Sequence, residues 1–94
     1  MKAYELLDTP EKWTRETSAR NAHHDPAPAN SERAVMWCMI GAIWRCYREE
    51  YDAVNAESRL RSVLERAIPS ITDANDDLAT TFADIQRWLR AADV

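Results

Sequence analysis

Glycine is almost absent from this chain: 94 residues contain one, Gly41. Tight hairpin turns draw on residues that tolerate positive φ, glycine above all, and no stretch of useful length alternates apolar with polar residues. Both absences predict an all-α protein. Cysteine is scarce as well. Cys38 and Cys46 lie eight residues apart on what the pattern predicts to be one helix, about 12 Å at 1.5 Å per residue, whereas a disulfide needs α-carbons within about 7 Å. With two adjacent histidines and no Cys-x-x-Cys spacing, a structural zinc site is excluded. No apolar run approaches the roughly twenty residues of a membrane span, and Met1-Lys2-Ala3-Tyr4-Glu5 places charge where an export signal would be apolar. Reduced thiols then fit a soluble, cytoplasmic protein. Positive charge is in deficit, 12 basic residues against 16 acidic, with the surplus in the second half. That disfavours direct nucleic-acid binding, which needs clustered cations. Ten of the twelve basic residues are arginine, better explained by codon usage than by phosphate or carboxylate recognition.

Apolar residues make up 46% and charged residues 30% of the chain, the balance of a folded domain. One domain spanning residues 1–94 is expected at this length. The run Ala34-Val35-Met36-Trp37-Cys38-Met39-Ile40-Gly41-Ala42-Ile43-Trp44 is apolar on every side, and a helix without a polar face must be wrapped by other elements. Ser31 reads as its cap and Glu32 as its first-turn acid, so the spacing predicts a long helix from Ser31 to about Asn55 whose first half is a central post. Lys2–Leu7 is a short helix, and Thr9-Pro10 marks a second start. Ala56, Leu60, Val63, Leu64, Ala67 and Ile68 form the stripe of a helix that Pro69 ends. The last helix begins at Thr80 or Thr81, where Thr81-Phe82-Ala83-Asp84 has capping-box spacing, and it buries Phe82, Ile85, Trp88, Leu89 and Ala92. Residues 14–30 show no period and read as a long loop, mobile or packed on the surface. Ser70–Thr80 reads as a linker in which Asn75 and Asp76 make Asx turns with their own backbone. The expected architecture is four to five helices around a buried central one.

Trp13-Thr14, Ala19-Arg20-Asn21, a proline-bearing loop, Ala34-Val35, Trp37-Cys38 and Gly41-Ala42, followed by Ile71-Thr72-Asp73-Ala74-Asn75-Asp76, Thr80-Thr81 and Ala83-Asp84, resemble an uncharacterised family of small bacterial and phage proteins. The likeness spans about Trp13 to Ala92. It implies no activity, substrate or cofactor. In the family pattern a histidine commonly follows the threonine where this chain has Phe82; if the family used a Cys-His pair, this chain would lack the histidine at that place, and only His23 and His24 could substitute.

Cys38 is the natural nucleophile candidate. Two turns into an apolar helix, between Trp37 and Met39, it reads rather as a buried packing residue. A small cysteine-dependent enzyme is the alternative reading, with Asn75 or Asp76 orienting and His23 or His24 as base. His23-His24-Asp25 has metal-binding residue types, but neighbours on an extended loop point apart, and Asn75-Asp76-Asp77 lacks the calcium-loop pattern. No metal and no cofactor are expected. Trp44, Tyr47 and Tyr51, beside Arg45 and Arg48, share the face where the long helix leaves the core, and aromatic and arginine side chains anchor interfaces. The leading expectation is therefore a non-catalytic interaction domain, a phage- or mobile-element-type regulator or inhibitor. It would bind a protein partner, or a second copy, through this aromatic face and the acidic second half. A third reading is a small molecule held between helices, with Met36, Met39 and the tryptophans as an adaptable lining.

Overall fold

The computed structural model describes residues 1–94. Five α-helices, α1 Ala3–Leu6, α2 Met39–Cys46, α3 Glu50–Val63, α4 Ile71–Asp76 and α5 Phe82–Ala92, accompany a 3-10 turn at Pro10–Lys12 and three strands, β1 Ala19–Arg20, β2 Pro26–Ala27 and β3 Met36–Trp37. The strands form one antiparallel sheet in the order β2-β1-β3, with Ala19 opposite both Ala27 and Trp37. The fold is α+β, which overturns the all-α expectation. The hairpin turns without glycine. Asn21 Oδ1 accepts hydrogen bonds from the amides of His23 (2.9 Å) and Asp25 (3.1 Å), the Asn21 amide donates to the Asp25 carbonyl, and His24 takes the left-handed conformation at φ 65°. Asparagine side chains mimic a turn in this way, and histidine is among the residues that tolerate positive φ. Residues 14–30 are thus a structured segment.

The expected central helix is three elements. Ser31 caps no helix; its hydroxyl accepts from the Arg33 amide two residues on. Met36 and Trp37 are extended, and their neighbours find backbone partners across the sheet: the Val35 amide donates to Arg20, the Cys38 amide to Ser18, and the Thr14 amide to the Trp37 carbonyl. Val35 and Trp37 suit a pleated conformation, so the apolar run is buried partly as strand and partly as helix. Cys38 is extended and is the N-cap of α2. Gly41 explains why glycine stands in this helix: a Cβ there would lie 1.9 Å from the Ser18 carbonyl oxygen. The lead-in to β1 crosses the first turn of α2 at a distance that only a hydrogen side chain permits.

α3 begins about a turn earlier than the hydrophobic pattern suggested and stops at Val63. The expected linker contains α4, capped by Ser70, whose hydroxyl accepts from the Asp73 amide. α5 carries the expected box: the Asp84 amide donates to Thr81 Oγ1 and the Thr81 amide to Asp84 Oδ2. α3 packs along α5, and α1 lies against α2 and α5. Leu7, Met39, Ile43, Leu60, Ile85, Leu89 and Val94 are fully buried. The Val94 carbonyl ties three regions by accepting from the Ala3 amide and, at 3.1 Å, from the Tyr47 hydroxyl. No helix is long and apolar enough to cross a membrane.

Candidate functional site

Asn75 fixes the geometry around α4. It is 2% exposed, and a buried amide must find partners for both its oxygen and its nitrogen. Its Oδ1 accepts from the Trp13 indole (2.9 Å) and from the Met39 amide (3.0 Å). Its Nδ2 donates to the Thr14 carbonyl (3.0 Å) and to Asp76 Oδ1 (2.9 Å). The Asx turn expected of Asn75 is therefore not what it makes; it joins α4 to the start of α2 and to residues 13–14, about sixty positions away. Asp76 Oδ1 also accepts from the Glu16 amide at 2.9 Å, and holds Glu16 at φ 71°. Two polar side chains at the end of a six-residue helix thus pin the path of the chain that leads into the sheet.

This pinning leaves a cleft of about 210 Å³ lined by Glu16, Thr17, Ser18, Cys38, Ile40, Ile71, Thr72, Asn75 and Asp76. Of the sequence-predicted catalytic candidates it brings together Cys38, Asn75 and Asp76. It does not bring in His23 or His24, which lie exposed at the β1–β2 turn and do not line the cleft. Cys38 itself is at the helix N-terminus, not two turns inside. Its Sγ accepts from the Gly41 amide at 3.2 Å. Burial pushes the thiol above its ordinary value and Asp76 adds to the rise, while the amides of Gly41 and Ile40 oppose it. Burial wins, and the group stays a neutral thiol near pH 7, the weaker nucleophile. Asn75 has no hydrogen-bonding capacity left for a reacting group. Cys46, half-buried at the end of α2, is likewise a free thiol raised by burial. No group of three or more His, Cys, Asp or Glu side chains is arranged to hold a metal ion.

The expected partner face is mostly spent inside the molecule. Trp44 donates its indole N–H to Glu57 at 2.8 Å, and Tyr47 donates to Val94. Arg45 donates to the carbonyls of Ala29 and Ser31 and lies over the Trp37 ring at 5.4 Å. Tyr47 leaves the predicted stripe because α2 ends at Cys46 and the chain turns before α3, whereas Trp44 and Arg45, still within α2, are engaged by Glu57 and by the Ala29 and Ser31 carbonyls. Tyr51 and Arg48 remain exposed. Tyr51 is 82% and Val54 51% exposed, three residues apart on α3 and hence on one face. Glu49, Glu50 and Asp52, also exposed, make no ion pair; the ion pairs of the chain are Lys2–Asp93, Lys12–Asp8 and Arg87–Asp84.

Beside this face runs a second, open groove of about 420 Å³, lined by Ile40, Val54, Glu57, Ser58, Arg61, Pro69, Ser70, Ile71 and Thr72. Ile40, Ile71 and Thr72 line both depressions. Sequence reasoning missed Glu16, Ser18 and Thr72, since each becomes a lining residue through contacts far along the chain. Ile71-Thr72, in the block shared with the resembling family, was the one local signal.

A family of unknown function, DUF6197, matches residues 1–93, and the chain belongs to it. No curated protein and no solved structure matches the chain.

Proposed function

We propose that this member of a family without assigned activity is a non-enzymatic protein-interaction domain, a cytoplasmic regulator or inhibitor of bacterial or phage type, which binds a basic, partly apolar segment of a partner protein through α3. The observation that carries the reading is the Tyr51–Val54 face. A tyrosine with nearly its whole side chain in solvent beside an exposed valine is an interface anchor without a partner. Its unpaired neighbours Glu49, Glu50 and Asp52 supply a field that favours cations and steers their approach. Chemistry at Cys38 has less support. The thiol is raised by burial and by Asp76, and no imidazole lines its cleft. None of Met36, Met39 and the tryptophans lines either depression, which disfavours a small molecule held among them.

Selection from a random-sequence peptide library displayed on phage tests the reading. Peptides that join Lys or Arg to apolar residues are expected, and Tyr51→Asp together with Val54→Asp should abolish their binding without lowering the melting temperature, because neither side chain is buried. Failure to enrich any motif, or equal binding to the double variant, would falsify the assignment of α3 as the binding face.

A further inference from the structure

The open groove beside Val54 and the Cys38 cleft meet over Ile40, Ile71 and Thr72, so a chain lying against α3 has a continuous path to Asp76. Along this path the character of the wall changes. The α3 end offers Val54 and Pro69, with Glu57 bonded to Trp44 and Arg61 to the Ile68 carbonyl; Ile40 and Ile71 lie at the junction, and the far end offers two carboxylates, Glu16 and Asp76, and no cation. The nearby cations are committed elsewhere: Arg15 donates to the Thr80 carbonyl and lies over the Trp13 ring, and Arg20 donates to Thr14 and His24. The far end also holds unspent polar groups. The Glu16 carboxylate and the Ser18 and Thr72 hydroxyls make no hydrogen bond, and both bonds at the Asp76 carboxylate fall on Oδ1. About 210 Å³ suits one long side chain.

We infer that the groove from Val54 to Asp76 receives an extended segment of a partner protein whose Lys or Arg side chain enters the Cys38 cleft and pairs with Glu16 and Asp76. This rests on the interaction reading above and extends it from the α3 face to the cleft. Apolar side chains of the segment cover Ile40 and Ile71, and the Ser18 and Thr72 hydroxyls are placed to bond its backbone. Charge complementarity is what selects this occupant, because a cation there meets two carboxylates, the exposed Glu16 and the half-buried Asp76, and no competing positive group.

The test uses synthetic peptides with apolar flanks and a central Lys, Arg, norleucine or Glu, titrated into the intact protein by calorimetry. Alkylation of Cys38 by iodoacetamide is followed in parallel in a Cys46→Ser background. Lys and Arg peptides are expected to bind about tenfold more tightly than the norleucine peptide, and to slow Cys38 alkylation. Glu16→Gln, a change at an exposed side chain that bonds to nothing in the fold, should reduce the Lys preference, with Asp76 alone left to pair, while leaving norleucine binding intact. Peptides that bind with no Lys preference and no protection of Cys38, yet still depend on Tyr51 and Val54, overturn the groove inference and leave the α3 reading standing. If no peptide binds, both fall. A concentration-dependent dimer that protects Cys38 without peptide assigns the groove to a second copy and overturns the proposal.

Discussion

The α3–α5 pair and the segment from Trp13 to Cys38 face the same requirement, that buried backbone groups find partners, and meet it in opposite ways. In α3 and α5 the backbone satisfies itself within each helix, and side chains such as Leu60, Ile85 and Leu89 have only to exclude water. From Trp13 to Cys38 the strands are two residues long, so the ladder is short, and side chains join the ladder and turn bonds as partners of the backbone. Asn21 closes the hairpin, Arg20 reaches Thr14 and His24, and Asn75 serves Trp13, Thr14 and Met39 at once. A region built in this way depends on single side chains, whereas a region built on apolar stripes depends on many contacts at once. The cleft lies where the first kind of construction is used.

The sharpest way to break that contrast is to remove Asn75. Asn75→Ala leaves the Trp13 indole, the Met39 amide and the Thr14 carbonyl without partners, each worth about 1–3 kcal/mol when buried and unpaired. A loss of about 4 kcal/mol is expected from the urea midpoint. Leu89→Ala, on the apolar side, should cost about 3 kcal/mol through its cavity. The two should differ in kind. Hydrogen exchange in the Asn75 variant is expected to rise first at Met39 and around Trp13, with α5 protected, while the Leu89 variant should lose protection across α3 and α5 together. Matching exchange maps would show that the two regions are one cooperative unit.

Gly41→Ala separates packing from helix propensity. Alanine favours an exposed helix position by about 1 kcal/mol over glycine, so a gain would be expected if α2 were the free-standing post that its composition suggests. The added Cβ instead meets the Ser18 carbonyl at 1.9 Å, and backbone cannot swing aside as a side chain can. Overpacking of this sort costs about 1–3 kcal/mol, and a net loss near 2 kcal/mol is expected. Because the clash falls on Ser18, the Cys38 cleft should change shape too, visible as altered Cys38 alkylation in the folded protein. A stabilised variant would mean that β1 does not approach α2 as described.

How much of this could be read from the residues follows the same division. The Phe82–Ala92 stripe and the Thr81–Asp84 box are local, three or four residues apart, and α5 is where the sequence places it. The sheet was missed because the cues sought for it, glycine turns and alternating strands, are absent: Asn21 and His24 make the turn, and two-residue strands carry no period. The apolar run 34–44 was read as one helix because composition reports burial and not conformation; the partners that hold Met36 and Trp37 extended lie at residues 14–20. The residues mark out Asn75 and Asp76 as turn formers and orienting groups, but the Asn75 partners Trp13 and Thr14 sit about sixty positions away, and no spacing rule connects them. Tyr47 falls on an outer face only if one helix extends past Cys46, where α2 has already ended, and the groups that engage Trp44 and Arg45 lie 13 to 16 residues away.

The smallest effects distinguish the two regions by pH. Thr81 donates its amide to Asp84, and this bond, followed by the Thr81 hydroxyl and then the Arg87 contact, holds the Asp84 carboxyl below its ordinary 3.8. A group depressed in the folded state gives stability that is present above the unfolded value and lost as pH falls through the folded one. Asp84→Asn should therefore be slightly less stable than the parent at pH 7, with the gap closing in acid below 3.8. Cys38 runs the other way: burial raises it above 9.0, so the unfolded thiol ionises first and stability falls as pH rises past that value. Cys38→Ser, which keeps an N-capping side chain, should flatten this alkaline limb in a Cys46→Ser background, since Cys46 is raised as well. Urea midpoints measured across both limbs check the pair. An unchanged acid limb in Asp84→Asn would remove the α5 cap from the balance; an unchanged alkaline limb in Cys38→Ser would show that the thiol reaches water readily, and the depth assigned to the cleft would have to be given up.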